Sequence, residues 1–294
     1  MGHQSADARS QRETPVSSVM RPTFLLFLFS ACAAWLGGTP APSAPLAMQP
    51  GERLDFRVSW GPLGKAGEVT VFATPAGDEE QPVTEIVVRT SSAGLVRVLY
   101  AFDGEARSLF DPSDGRLLSA TATTRAKRKN TRASITLDHD AARADYVDHL
   151  DSSRSTTVPL PQGRAMDLVT SLVEARAWSL RPGDKREVSV LFDDEFYDLT
   201  LHALRYETVR THSGRREALL VTPRMDGRPR GIFKRGGEVR VWLDRAPPHL
   251  PVRFEVQTKS GTAVALLTDY RPPAKPAAHA PAYAVSTREE VKRL

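Results

Sequence analysis

The sequence predicts a mainly β protein: an antiparallel curved sheet forming a barrel or half-barrel, with one principal helix at about residues 167–179. Three observations lead there. Apolar and polar residues alternate with a period of two in segment after segment, the mark of strands with one buried and one wet face. Turn-forming residues separate these segments at short, regular intervals. Only one stretch carries a clear helical apolar stripe.

The first strand is the clearest. Leu54, Phe56, Val58 and Trp60 alternate with Arg53, Asp55, Arg57 and Ser59. Gly61-Pro62-Leu63-Gly64 supplies a turn, and Val69 and Val71 within 67–73 predict the hairpin partner. A third strand follows at 83–90. Ser91–Leu99 is apolar and contains glycine, which predicts a loop or short helix before a strand at 100–110. Asp111-Pro112-Ser113-Asp114-Gly115 is a turn, and short strands are expected at 117–124, 132–137 and 143–147. Asp167 is an N-cap for the helix, whose stripe is Leu168, Val169, Leu172, Val173 and Ala175; Arg181-Pro182-Gly183-Asp184 stops it. Strands resume at 186–192, 197–205, 218–223, 238–243, 252–259 and 262–270. The domain is therefore expected over 48–270. The Pro/Ala-rich segment 271–294 reads as an extended tail.

The chain has 294 residues and a hydrophobic content of 40%, enough to build a core without disulfides or metals. Its single cysteine, Cys32, lies in an N-terminal apolar segment, so the domain itself has no thiol for catalysis or metal binding. The net charge is +5 overall, and +4 beyond residue 47 (37 Lys and Arg against 33 Asp and Glu). That balance is too mild to predict nucleic-acid binding.

Residues 1–47 read as an N-terminal extension and export signal. Met20-Arg21 precedes the apolar run Phe24–Leu36, which is too short to span a bilayer comfortably, and small residues and prolines follow. Cleavage near Ala44 or Ala47 is one expectation. Lipidation of Cys32 is another, because Phe29-Ser30-Ala31-Cys32 resembles a lipobox. Met1 and Met20 are both candidate starts.

No nucleophile elbow, zinc-protease helix, P-loop or dinucleotide fingerprint is present, so no catalytic residue, cofactor or metal is assigned. Asp138-His139-Asp140, Asp145, Asp148-His149 and Asp151 concentrate oxygen and nitrogen donors but fit strand ends and turns equally well. Two basic stretches stand out. One holds Arg125, Lys127, Arg128, Lys129 and Arg132; the other includes Lys234 and Arg235 around Ile232-Phe233. If they adjoin, they form a patch suited to anionic lipid or acidic glycan. Solvated strand faces are the alternative.

Several segments in order resemble the bacterial exported-protein family known as domain of unknown function 3108. They are Gly51–Gly61 with Ala66-Gly67, Ala93-Gly94-Leu95, Asp167-Leu168 with Arg176, Leu180-Arg181-Pro182-Gly183, Thr211-His212-Ser213-Gly214, and Val241-Trp242-Leu243-Asp244 with Leu250-Pro251-Val252. The resemblance implies a β-rich domain in the periplasm or at the outer membrane, and no reaction.

Three functions follow as expectations. The first is a non-catalytic envelope protein that binds a lipid, glycolipid or glycan in a concave β face, with Trp60, Phe56, Val241, Trp242 and Phe254 as candidate ligand-binding residues and an apolar cavity beside the helix. The second is a hydrolase or lyase acting on an envelope polymer. The third is a structural module docking onto an envelope protein partner. Peripheral membrane association is compatible with the first and third.

Overall fold

The computed structural model describes residues 46–273 except 79, 128, 193, 226–232, 234–236 and 259–260. Its strands are β1 (Arg53–Trp60), β2 (Lys65–Gly77), β3 (Pro82–Ser92), β4 (Phe102–Phe110), β5 (Leu117–Ala126), β6 (Asn130–Asp138), β7 (Arg143–Asp148), β8 (Thr156–Pro159), β9 (Ala165–Asp167), β10 (Lys185–Phe192), β11 (Glu195–Thr211), β12 (Gly214–Met225), β13 (Glu238–Asp244), β14 (Pro251–Thr258) and β15 (Gly261–Arg271). Two helices join them: α1 (Gly94–Leu99), and α2 (Leu168–Glu174), which continues as a 3-10 turn over Ala175–Trp178.

All fifteen strands form one sheet in the order 8-7-6-5-4-3-2-1-15-14-13-12-11-10-9. Every pairing is antiparallel except β9 on β10. The sheet is open between β8 and β9, yet Tyr146 and Val158 from one edge share a core with Met166 from the other. It therefore curls until its edges flank a common interior. The predicted strands are present, several of them longer than expected. The sequence reading missed β8 and β9, which at four and three residues are too short to carry a period.

Period two sorts the side chains. Leu54, Phe56, Val71, Ala73, Ile86, Val88, Phe110, Leu117, Ile135 and Leu137 point into one half of the interior, while Leu201, Ala203, Leu219, Val221, Val239, Val241 and Leu243 line the other. The helix α2 lies between them, with Val173 in the first cluster and Leu172 and Ala175 in the second. Its N-terminus is capped as expected, the Asp167 carboxylate accepting the Thr170 N–H at 2.9 Å. Residues Thr170 through Arg176 are all buried, so this is a helix enclosed on every side rather than one lying across a face.

That enclosure corrects the expected cavity. Buried side chains of both clusters pack against α2, and Phe56 meets Phe254 edge-to-face with ring centroids 5.2 Å apart. Among the described residues, the best-formed openings are a polar groove on the outer face and a recess of about 40 Å³ near Arg176 and His249. Neither is an enclosed apolar chamber. The sequence reading treated α2 as a cover for the sheet; in the fold it is the filling.

Candidate functional site

Because neighbouring strands alternate in direction, their connections sort to two ends. The links β1–β2, β3–β4, β5–β6, β7–β8, β10–β11, β12–β13 and β14–β15 share one end. The links β2–β3, β4–β5, β6–β7, β8–β9, β11–β12 and β13–β14, with residues 46–52, share the other, called here the base.

The first end is apolar and basic. Seven large hydrophobic residues are exposed among the described residues, and six of them, Leu63, Leu95, Val98, Leu99, Val147 and Leu150, lie at this end. The densest group is on α1, where Leu95, Val98 and Leu99 are 53%, 74% and 61% exposed while Val96 is buried beneath them. Exposed apolar side chains gathered in one place mark an interaction surface.

Local chemistry holds this group in position. Ala93 donates its N–H to the Ala66 carbonyl at 2.7 Å, seating α1 on the β1–β2 hairpin that carries Leu63. Gly94 has φ +58°, and a Cβ there would stand 2.6 Å from the Lys65 carbonyl oxygen, so glycine alone fits. Arg97 forks onto Asp103 with two contacts of 2.9 Å and also donates to the Ser92 carbonyl, fixing the helix to β4. That hydrogen-bonded guanidinium holds the Asp103 carboxyl below its usual range. On the other side, Lys127 donates its N–H to the Ala101 carbonyl, bringing the β5–β6 turn against the start of β4. The buried Asp148 carboxylate accepts the N–H groups of Leu150 and Asp151, and this turn presents Leu150 to solvent.

The basic residues of the sequence patch fall beside this group. Arg125, Lys127, Lys129 and Arg132 are exposed around the β5–β6 turn. Arg128, Lys234 and Arg235 lie outside the described residues. Among the described residues, the connections at this end hold four Lys and Arg (Arg97, Lys127, Lys129, Arg154) against two Asp (Asp151, Asp194). Those at the base, with residues 46–52, hold three described Lys and Arg (Arg116, Arg164, Arg245) against six described Asp and Glu. The charge is divided end from end, which the small net charge conceals.

The candidate ligand-binding residues do not form one surface. Phe56, Val241 and Phe254 are in the interior. Trp60 is half-buried at the apolar end, near Gly261. Trp242 faces the opposite side from its neighbour Val241, as a strand requires, and packs in a separate cluster with Val209, Leu220 and Val252. Its indole donates to Glu207 at 2.6 Å, with the Arg253 guanidinium 5.1 Å from the ring centroid. The five candidates therefore do not share the one concave face expected of them. The acidic and histidine residues separate as well: Asp138, His139 and Asp140 lie toward the base, and Asp148, His149 and Asp151 toward the apolar end.

Two further polar features complete the picture. An open groove of about 520 Å³ crosses the outer face, lined by Glu68, Thr70, Arg89, Glu105, Thr123 and Arg125 among others. Its Arg89 and Glu105 are already engaged: Arg89 reaches Glu105 at 2.6 Å, and Arg107 reaches Glu105 at 2.7 Å and Glu85 at 3.1 Å. Hydrogen bonds from Arg89 and Arg107 hold Glu105 below the usual carboxylate range.

At the base, sequence reasoning missed a buried cluster. Arg176 forks onto Glu52 at 2.6 and 2.7 Å, and Tyr270 donates its hydroxyl to the same carboxylate at 2.9 Å. Glu174 accepts the N–H groups of Ala47 and Met48, each at 2.8 Å, with Arg164 3.4 Å away. Burial raises the Glu174 pKa, the two backbone donors opposing it. Arg176, though desolvated, is held above its ordinary range by Glu52. Two carboxylates converge here, but Glu52 and Glu174 are 2% and 1% exposed and their oxygens are occupied by protein donors. The arrangement braces the fold and leaves no room for a substrate.

A family model described as a protein of unknown function, DUF3108, matches residues 55–268. No curated protein matches the chain. Among solved structures, the chain is similar to a β-barrel-like protein of domain of unknown function DUF1849 from Brucella abortus, with TM-score 0.49 and 10% identity over 76% of this chain and 98% of that one. It is also similar to a provisionally named exported protein with a YmcC-like fold from Bacteroides fragilis, with TM-score 0.31 and 12% identity over 78% and 99% of the two chains. A third is a provisionally named lipoprotein from Parabacteroides distasonis, with TM-score 0.28 and 8% identity over 80% and 100%.

Proposed function

From the premise that this chain belongs to the DUF3108 family, whose description assigns no activity, we propose that it is an exported, non-catalytic envelope module that docks by its α1 end onto an anionic membrane surface. The observation that carries this reading is the coincidence, at one end, of exposed Leu95, Val98, Leu99, Leu63 and Leu150 with exposed Arg125, Lys127, Lys129 and Arg132. Apolar side chains enter the boundary between headgroups and acyl chains, and cations beside them meet lipid phosphates. An acidic base favours the same orientation by repulsion from the surface.

The filled interior weighs against a carrier that encloses an acyl chain, and the saturated base cluster weighs against a polymer hydrolase. A protein partner would fit the apolar group alone, but it gives no reason for the division of charge between the ends.

Sedimentation of the protein with phospholipid vesicles tests the reading. Binding is expected to vesicles containing phosphatidylglycerol, to weaken steeply as salt shortens the screening length below about 8 Å, and to fall further in Lys127→Glu/Lys129→Glu. Equal binding to neutral and anionic vesicles, or none to either, overturns it.

A further inference from the structure

We infer that Leu46–Gln49 is a structural strap of the finished protein, so that the export signal is removed on the N-terminal side of Leu46. The sequence offers two small-residue positions for cleavage, Ala44 and Ala47, and the base of the fold discriminates between them. Leu46 and Met48 are 1% and 0% exposed, and both belong to the main core cluster with Leu54, Phe110 and Val173. Leu46 donates its N–H to the Pro112 carbonyl in the β4–β5 turn at 3.3 Å. Its own carbonyl accepts from the Gln49 side-chain amide. Ala47 and Met48 both give their N–H groups to Glu174, and the Ala47 carbonyl accepts from Arg176 at 3.0 Å.

Hydrolysis of the Ala47–Met48 bond would therefore remove a fully buried leucine, one of the two backbone donors that compensate the buried Glu174, and an acceptor of Arg176. A buried carboxylate deprived of one backbone donor, beside a leucine-sized void, is a double penalty on the core. Hydrolysis before Leu46 removes none of these. Leu46 lies at the base, the end opposite α1.

The inference rests on the export proposed above, and its test separates the two. Intact mass and N-terminal sequencing of the full-length gene product, recovered from the envelope of cells that export it, should give a first residue no later than Leu46. A lipidated Cys32 as first residue satisfies the same condition. An exported protein beginning at Ala47 or beyond overturns the inference and leaves export standing; it would place an α-ammonium where the strap now offers amides to Glu174. A cytoplasmic chain retaining Met1 or Met20 overturns export, and the inference with it. As an independent measurement, a chain starting at Met48 is expected to unfold at least about 5 °C below one starting at Pro45, and equal melting temperatures would count against the strap.

Discussion

Replacing Glu52 by Gln isolates what the base cluster does. The substitution keeps the side-chain shape and an acceptor for Tyr270, but withdraws the charge that Arg176 forks onto at 2.6 and 2.7 Å. Both partners are buried, the Arg176 side chain at 6% and the Glu52 side chain at 2% exposure, so the guanidinium would keep its desolvation cost and lose its counter-ion. Breaking a buried pair in this way costs about 3–5 kcal/mol. In a domain of this size each kcal/mol moves the melting temperature by about 2–4 °C, which places the Glu52→Gln protein roughly 10 °C below the parent. Because the loss is the orphaned cation rather than the pair's net worth, Glu52→Gln/Arg176→Met should recover more than half of it. Denaturant unfolding, followed by far-ultraviolet circular dichroism and tryptophan fluorescence, measures both. A Glu52→Gln protein within about 1 kcal/mol of the parent, or a double variant no better than the single, refutes the reasoning.

Burial and then the Glu52 hydrogen bond push the Tyr270 hydroxyl up to about 12. A folded pKa above the unfolded value means that this contribution is complete below the ordinary tyrosine range and is lost as pH rises through about 12. Tyr270→Phe should accordingly be less stable at neutral pH and lose less stability than the parent on alkaline titration; parallel pH curves would contradict this. Gly94→Ala puts a Cβ 2.6 Å from the Lys65 carbonyl at a φ of +58°. It should unseat α1 and weaken vesicle binding several-fold while the melting temperature falls by only a few degrees, and unchanged binding would show that the seat of α1 does not matter.

How much of this was legible follows from length and period. The long strands were readable because Leu54, Phe56 and Val58 alternate with charge, and α2 was readable from its stripe and the Asp167 cap. That α2 is enclosed was foreshadowed by one signal, the charged Glu174 and Arg176 set among Val173 and Ala175, because charges in an apolar helix need buried partners. Of those partners, Glu52 lies 124 positions from Arg176, and Arg164 lies ten positions from Glu174 on the far side of β9, so no helical spacing pairs them. Leu46 and Met48 were masked by the small residues around them, which read as a cleavage region. Trp242 and Val241 are both candidate ligand residues in the sequence, yet adjacent strand residues face opposite ways. The division of charge between the ends depends on which connections share an end. The two short strands β8 and β9 left no period to read, so that assignment lacked its full strand list.

The central claim is that one end of the molecule, and only that end, enters an anionic membrane surface. An environment-sensitive fluorophore placed by Val98→Cys on α1, and in a second protein by Asp114→Cys in the β4–β5 turn at the base, tests it directly, in a mature chain lacking Cys32. With phosphatidylglycerol vesicles the probe at 98 should shift to the blue and become accessible to lipid-borne quenchers. The probe at 114 should do neither, and both effects at 98 should vanish in high salt or with neutral vesicles. The three exposed residues Leu95, Val98 and Leu99 would each contribute on the order of 1 kcal/mol on insertion, so Leu95→Ser/Leu99→Ser in the same background should weaken the response at least tenfold. A blue shift at 114, or a probe at 98 that remains in water while the protein is bound, contradicts the account.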